Sequence, residues 1–163
     1  QGEPAGGLLP QWLSGWAFLF STAPDLERAR RLVAETGPAA LTLSYDPADR
    51  AVAERIAVNA REAGLPLRAV AGAAPAEVRL VRRQIGSRRP AAALRELATA
   101  FGLPAPAGLP ATEEETYSWE RSLVEGYRLI PIVHLPELYA AARRVHFWNG
   151  RTWADVWLEG ERP

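Results

Sequence analysis

The amino-acid sequence predicts an α/β fold in which a parallel or mixed sheet is flanked by helices. Residues 41–45 alternate as a half-buried strand does, and residues 65–70 form a second apolar run of strand length. Between them, Asp46 and Pro47 begin a segment with apolar positions at helical spacing, and Gly64 ends it. Because a strand, a helix and a strand follow in that order, we expect a βαβ crossover and parallel strands.

Two further helices and a third strand extend this pattern. Thr22 is expected to cap a helix that ends at Gly37. Residues 77–85 are a third strand candidate, and residues 90–101 follow as a helix. The loop that comes next, residues 102–110, contains three prolines and two glycines.

The last third of the chain begins with a capping box. Thr112 and Glu115 have the spacing in which each side chain pairs with the other residue's backbone, which predicts the start of a long helix. Residues 129–135 are strand-like, although Pro131 restricts them to an edge or an irregular strand. Residues 149–150, Asn-Gly, predict a turn between two apolar runs.

Composition excludes several classes of function. The chain has 163 residues, enough for one domain with a core, and its 19 basic and 19 acidic residues cancel. This balance argues against a dedicated nucleic-acid binder and against a polybasic membrane anchor. The absence of Cys excludes a disulfide and a thiol nucleophile, and the absence of Met predicts a processed or excised piece. Residues 8–20 are the one apolar run; they fall short of the roughly 20 residues that span a bilayer and read poorly as a signal peptide.

No catalytic, metal or cofactor motif is present in the sequence. His134 and Glu137 have a His/Glu spacing, but Pro136 argues against a regular helix that would direct both at one metal, so a structural histidine is the favoured interpretation. Nucleotide-binding, hydrolase and metalloprotease patterns are missing. We therefore expect a protein that is not an enzyme and that needs no cofactor.

Two clusters of side chains each allow two interpretations. Five arginines fall within residues 79–89, and they form either an anion-binding or nucleic-acid-binding patch or a set of solvated and paired side chains. Trp12 and Trp16 lie in a segment without helical spacing. They either stack on a ligand or cover a surface, and the sequence does not choose between these.

The order of the segments resembles family 5 extracellular solute-binding proteins, which carry oligopeptides, dipeptides or nickel to an ABC importer. Residues 10–16 and 25–37 resemble the family's proline/glycine loop and the helix after it. Residues 41–46, L-T-L-S-Y-D, resemble its next strand, and residues 129–134, L-I-P-I-V-H, resemble the strand that follows its last helix. The ordered series, rather than one motif, carries the resemblance.

The resemblance implies one lobe of a periplasmic-binding-protein-like fold. Residues 1–163 would be a single α/β lobe, with residues 1–24 as a connecting loop, residues 25–130 as the core, and residues 131–163 as a return segment toward a missing first lobe. Ligands bind beyond the carboxyl ends of parallel strands. The implied ligand-binding residues are Tyr45, Asp46, Gln84, Ser87, Trp12 and Trp16.

The implied function is solute binding at the interface with a first lobe, on the periplasmic or extracellular side of a membrane. The partners would be a small solute or peptide and an ABC permease, with no nucleic acid, and with membrane contact only through a missing anchor or the permease. Peptide-binding members place an acid after the third strand, and residues 84–87 contain none. Two alternatives stay open: a ligand-sensing lobe of a regulator, and a small α/β hydrolase-like enzyme. For an excised lobe we also expect an exposed apolar face formed by residues 12–20 and 145–157.

Overall fold

The structure, a computed structural model, describes residues 2–16, 18–37, 39–136, 145–147 and 156–158, the last two ranges as backbone strands. The chain divides into two compact units, one of residues 4–132 and one of Gln1–Glu3 with Val133–Pro163. In chain order the assigned helices and strands are β1 (Glu3–Pro4), α1 (Gln11–Ser14), α2 (Leu26–Thr36), β2 (Leu41–Tyr45), α3 (Arg50–Glu62), β3 (Leu67–Ala71), β4 (Val78–Arg79), α4 (Pro90–Ala100), α5 (Glu113–Glu125), β5 (Val133–His134), β6 (Val145–Phe147) and β7 (Val156–Leu158). The general α/β class predicted from the sequence is confirmed.

The larger unit contains a three-stranded sheet in the order β3-β2-β4. Strand β2 is parallel to both neighbours; Leu41 lies opposite Leu67 and Tyr45 opposite Ala71. The predicted βαβ unit is therefore confirmed, with α3 as the crossover. Gly64 has a φ of 87°, a left-handed conformation that glycine adopts without the cost of a Cβ, and this ends the helical segment as expected.

Small side chains let α3 approach the sheet closely. Ala53 on α3 is fully buried and packs with Leu43, Tyr45 and Leu67 of the sheet. These residues form one of two apolar clusters among the described residues of the larger unit. Their close packing fixes α3 over the sheet, and with it the segment that leaves the carboxyl end of β2.

The third strand is shorter than the prediction over residues 77–85. Within residues 77–85, only Val78–Arg79 pair with β2. One further backbone hydrogen bond follows, from Leu80 N to Ser44 O at 2.8 Å. The next carbonyl of the central strand on that side is that of Asp46, and it accepts from Asp49 N at 2.7 Å in a short 3-10 turn. Strand β2 itself ends at Tyr45 and the chain then turns, so the ladder does not continue past Leu80 and the prediction of a long strand is wrong.

The second apolar cluster is formed mainly by helix side chains, from both the beginning and the end of the larger unit. Leu94 and Leu97 of α4 pack with Leu123 of α5 and with Leu9 and Leu13 near α1. The predicted capping box is present, with Thr112 and Glu115 pairing reciprocally at the start of α5. Residues 10–16, expected as a loop, include the short helix α1.

Helix α2 begins later than predicted. Its cap is Asp25, whose carboxylate accepts from Arg28 N at 2.9 Å, rather than Thr22. None of its residues is fully buried, and Arg30 Nε donates to Glu62 O at 3.0 Å. A carboxylate next to the first turn also meets the positive end of the helix dipole, which explains the choice of Asp25.

Short strands are found among the described residues near the chain ends. Strands β1 and β5 form a two-stranded sheet, and β6 pairs with β7 in antiparallel register. Strand β5 covers only Val133–His134 of the predicted run over residues 129–135. The predicted turn at residues 149–150 lies outside the described residues.

Candidate functional site

The carboxyl edge of the parallel sheet is the candidate site predicted from the sequence. Tyr45 ends β2, is 8% exposed, and belongs to the cluster beneath α3. Asp46 follows it, is exposed, and accepts from Ala48 N at 2.9 Å through its carboxylate. Of this pair, Asp46 is thus the member that solvent or a ligand can reach.

The other predicted segment, residues 84–87, is held by α4. Glu96 Oε2 accepts from Gly86 N at 3.2 Å and from Ser87 N at 3.3 Å. Ser87 Oγ in turn accepts from Arg89 N at 3.1 Å, just before α4 begins. Gln84 is exposed, so this loop presents a polar side chain while its backbone is fixed.

An ion pair at this edge was not among the predicted site residues. Asp49 precedes α3 and has 10% of its side chain exposed, and its carboxylate pairs with the guanidinium of Arg82 beyond β4. The pair joins the segment after β2 to the segment after β4. A sequence signal existed: an acid follows β2 and an arginine follows β4, and parallel strands bring their carboxyl ends to one edge.

Two arginines of the predicted cluster have defined partners. Arg82 is paired as above, and the Arg83 guanidinium lies 5.9 Å from the centre of the Phe101 ring, within cation–π range. These contacts support the interpretation of paired side chains for these two positions. Arg88 and Arg89 are exposed.

The two tryptophans have different surroundings. Trp12 on α1 is 74% exposed, and Phe18 nearby in sequence is 58% exposed. Trp16 is partly buried; its Nε1 donates to Glu120 Oε2 at 3.0 Å and its ring meets Tyr117 edge-to-face at 5.4 Å. Trp16 is therefore committed to packing, whereas Trp12 offers a free aromatic face. The side chains of residues 145–157 lie outside the described residues.

Glu120 is a fully buried carboxylate on α5. Its Oε1 accepts from Leu9 N at 2.9 Å, and Oε2 accepts from the Trp16 indole. Burial raises the pKa of Glu120, while the N–H groups of Leu9, Leu8 and Trp16 act in the opposite direction. Sequence reasoning missed this residue, although its spacing from Leu123 places it on the apolar face of α5.

Two cavities among the described residues lie away from both predicted site segments. One, of about 660 Å³, lies between the proline-rich loop at residues 103–110 and α5. The other, of about 800 Å³, lies at the amino ends of β2 and β3 beside α3. None of the six predicted ligand-binding residues lines either cavity.

The described residues offer no metal centre and no membrane-spanning helix. Within these ranges, three or more His, Asp or Glu side chains do not gather as metal ligands would. Likewise, no helix in the described part of the chain combines the length and apolar character needed to cross a bilayer.

Comparison with known proteins adds no relative. No family model matches the chain, and neither a curated protein nor a solved structure is significantly similar to it.

Proposed function

We propose that this chain is the second lobe of a two-lobed solute-binding protein of an ABC importer, without catalytic activity. The observation that best supports the proposal is the closeness of the two ends of the larger unit. Ala5 N donates to Ile132 O at 3.1 Å, so the segments that enter and leave this unit are bonded to each other. A lobe that is joined to the rest of a protein by two adjacent segments can rotate about them as about a hinge.

The exposed polar groups at the carboxyl edge of the sheet provide the solute-binding wall in this proposal. Asp46 and Gln84 are exposed there, and the Asp49–Arg82 pair ties the segments that carry them. Ligands of open α/β sheets bind at this edge. The solute would lie between it and a first lobe, with Trp12 as a candidate aromatic contact.

The mechanism is hinge closure followed by delivery. The solute favours the closed arrangement because only that arrangement lets both lobes contact it. The closed protein then docks on a permease, on the periplasmic or extracellular side. Membrane contact is made through the permease or through an anchor outside this chain.

The test is solution scattering on the full-length product of the gene. Pools of small peptides, nickel chelates and other small solutes should be compared, and one pool should reduce the radius of gyration while the others leave it unchanged. A gene without a first lobe beside this segment, or saturable binding without compaction, would refute the proposal.

The isolated 163-residue chain and point variants provide the controls. Because one lobe is one wall of the cleft, calorimetry of the isolated chain with mixed peptides should show no heat at micromolar concentration; sub-micromolar binding would contradict a two-lobed site. In the full-length protein, Gln84→Ala should weaken solute binding. Asn59→Ala, at an exposed position of α3, should leave it unchanged.

A further inference from the structure

The cavity between the proline-rich loop and α5 has the form of a ligand site. One wall is the loop at residues 103–110, and the other is formed by Trp119 and Ser122 of α5 and by its C-cap residue Gly126. These three positions are three and four residues apart, so they share one side of the helix. The volume of about 660 Å³ lies in the range of small-molecule pockets.

Hydrogen bonds to side chains of α4 and α5 hold the loop in place. Trp119 Nε1 donates to Pro104 O at 3.3 Å, and Arg95 Nη2 of α4 donates to Pro106 O at 3.2 Å. At the far end, Glu115 Oε2 accepts from Ala111 N at 2.8 Å. Three prolines restrict the loop backbone further. The cleft is thus preformed, which lowers the entropic cost of binding.

The charges at the cleft are unequal. The Glu115 carboxylate is engaged by the backbone N–H groups of Ala111 and Thr112. Arg128 also lines the cleft and is exposed, and it forms no hydrogen bond or ion pair with a described residue. The Arg128 guanidinium is therefore the charged group of the cleft that a ligand can pair with, and a carboxylate is its best planar partner.

The backbone just before Arg128 is unusual. Tyr127 has a φ of 51°, a left-handed conformation that costs energy for a residue with a side chain, and yet the residue is 82% exposed. Burial of the ring therefore does not explain the conformation. Tyr127 follows the C-cap Gly126, a position at which helices commonly end in this conformation, and the chain then continues to Arg128, which lines the cleft.

We propose that this cleft binds a small aromatic carboxylate. The ring of the ligand packs between the Trp119 indole and the prolines of the loop, and its carboxylate pairs with the Arg128 guanidinium. The site is separate from the sheet edge of the proposed function, because none of the residues assigned to that edge lines this cleft. It does not depend on a second lobe.

The test uses the 163-residue chain and 1-naphthoate as probe, with 1-naphthalenemethanol as the neutral analogue. Binding is followed by calorimetry and by the NMR signal of the Trp119 indole N–H, assigned with Trp119→Phe. We expect 1-naphthoate to bind about tenfold or more tightly than the alcohol, and Arg128→Gln to remove that preference. Arg121→Gln is the matched control: its guanidinium is paired with Glu125 and lies outside the cleft lining, so the preference should persist.

A steric variant keeps the proposal falsifiable if charge effects prove small. A Cβ at Gly126 would meet nothing closer than 4.0 Å, and its φ of −74° suits any residue, so Gly126→Leu should fill the cleft with an unchanged or higher melting temperature. It should abolish binding of 1-naphthoate. Failure of the wild-type chain to bind at about 1 mM probe, or binding that survives both Arg128→Gln and Gly126→Leu, would overturn the proposal.

Discussion

Glu120→Ala should destabilise the fold far more than loss of a glutamate elsewhere on α5. It leaves the Leu9 amide and the Trp16 indole N–H without an acceptor in a buried site. Each unpaired buried donor costs about 1–3 kcal/mol, and the vacated volume adds to this, so we expect a loss of about 3–5 kcal/mol in the free energy of unfolding. Urea denaturation followed by Trp fluorescence measures it.

The matched control is Glu125→Ala on the same helix. Glu125 forms a solvent-exposed pair with Arg121, and such pairs contribute about 0.3–0.5 kcal/mol. If Glu120→Ala fails to fold, Glu120→Gln replaces it: the amide keeps one acceptor but turns a donor toward one of the two N–H groups, for about 1–3 kcal/mol. Values for both Glu120 variants within about 0.5 kcal/mol of wild type would refute the role assigned to this carboxylate.

Three further substitutions and one pH dependence test the roles of individual residues in the fold. The folded state raises the pKa of Glu120 above its unfolded value of about 4.3, so the contribution of Glu120 to the free energy of unfolding is fully present below that pH and is lost as pH rises through the folded pKa. Urea denaturation at a series of pH values should show this decline in wild type and not in Glu120→Gln, and a rise would contradict it. Ser44→Ala should stabilise by up to about 1 kcal/mol, since the buried hydroxyl has no hydrogen bond to a described residue; a loss in thermal denaturation would show a missed partner. Thr112→Ala should cost about 1 kcal/mol by loss of the cap of α5, with Thr99→Ala, exposed on α4, as the comparison in the same melting assay. Gly64→Ala should cost about 1–2 kcal/mol in urea through its left-handed φ, whereas Gly86→Ala should cost less, and equal costs would remove the conformational explanation.

Local patterns predicted the βαβ unit well because every signal in it agrees. The alternation in β2, the helical period of α3 and the stop at Gly64 are all properties of neighbouring residues. The third strand is different, since its length depends on where β2 itself ends. Strand β2 ends at Tyr45 and the chain then turns, which no property of residues 77–85 reveals.

The candidate site was less predictable because its contacts join distant segments. Parallel topology directed attention to the segments after β2 and β4, but it did not pair Asp49 with Arg82. Nor did it show that Glu120 would be buried, since a glutamate in an amphipathic helix is ordinarily solvated. Trp16 was expected either to stack on a ligand or to cover a surface, and only its hydrogen bond to Glu120 assigns it to packing. Long-range polar pairing is what a single sequence conceals.

The bond between Leu9 and Glu120 has a consequence for biosynthesis. The two residues are 111 positions apart, so the N-terminal apolar segment must wait for α5 to be translated before its partner exists. At about 5–20 residues per second this delay is about 6–22 s. Until α4 and then α5 have been made, Leu9 and Leu13 of the nascent chain lack their native helical neighbours, and exposed apolar surface of this kind is prone to aggregate. Shortening the delay with faster codons over residues 17–112 should lower aggregation during expression without changing the purified protein.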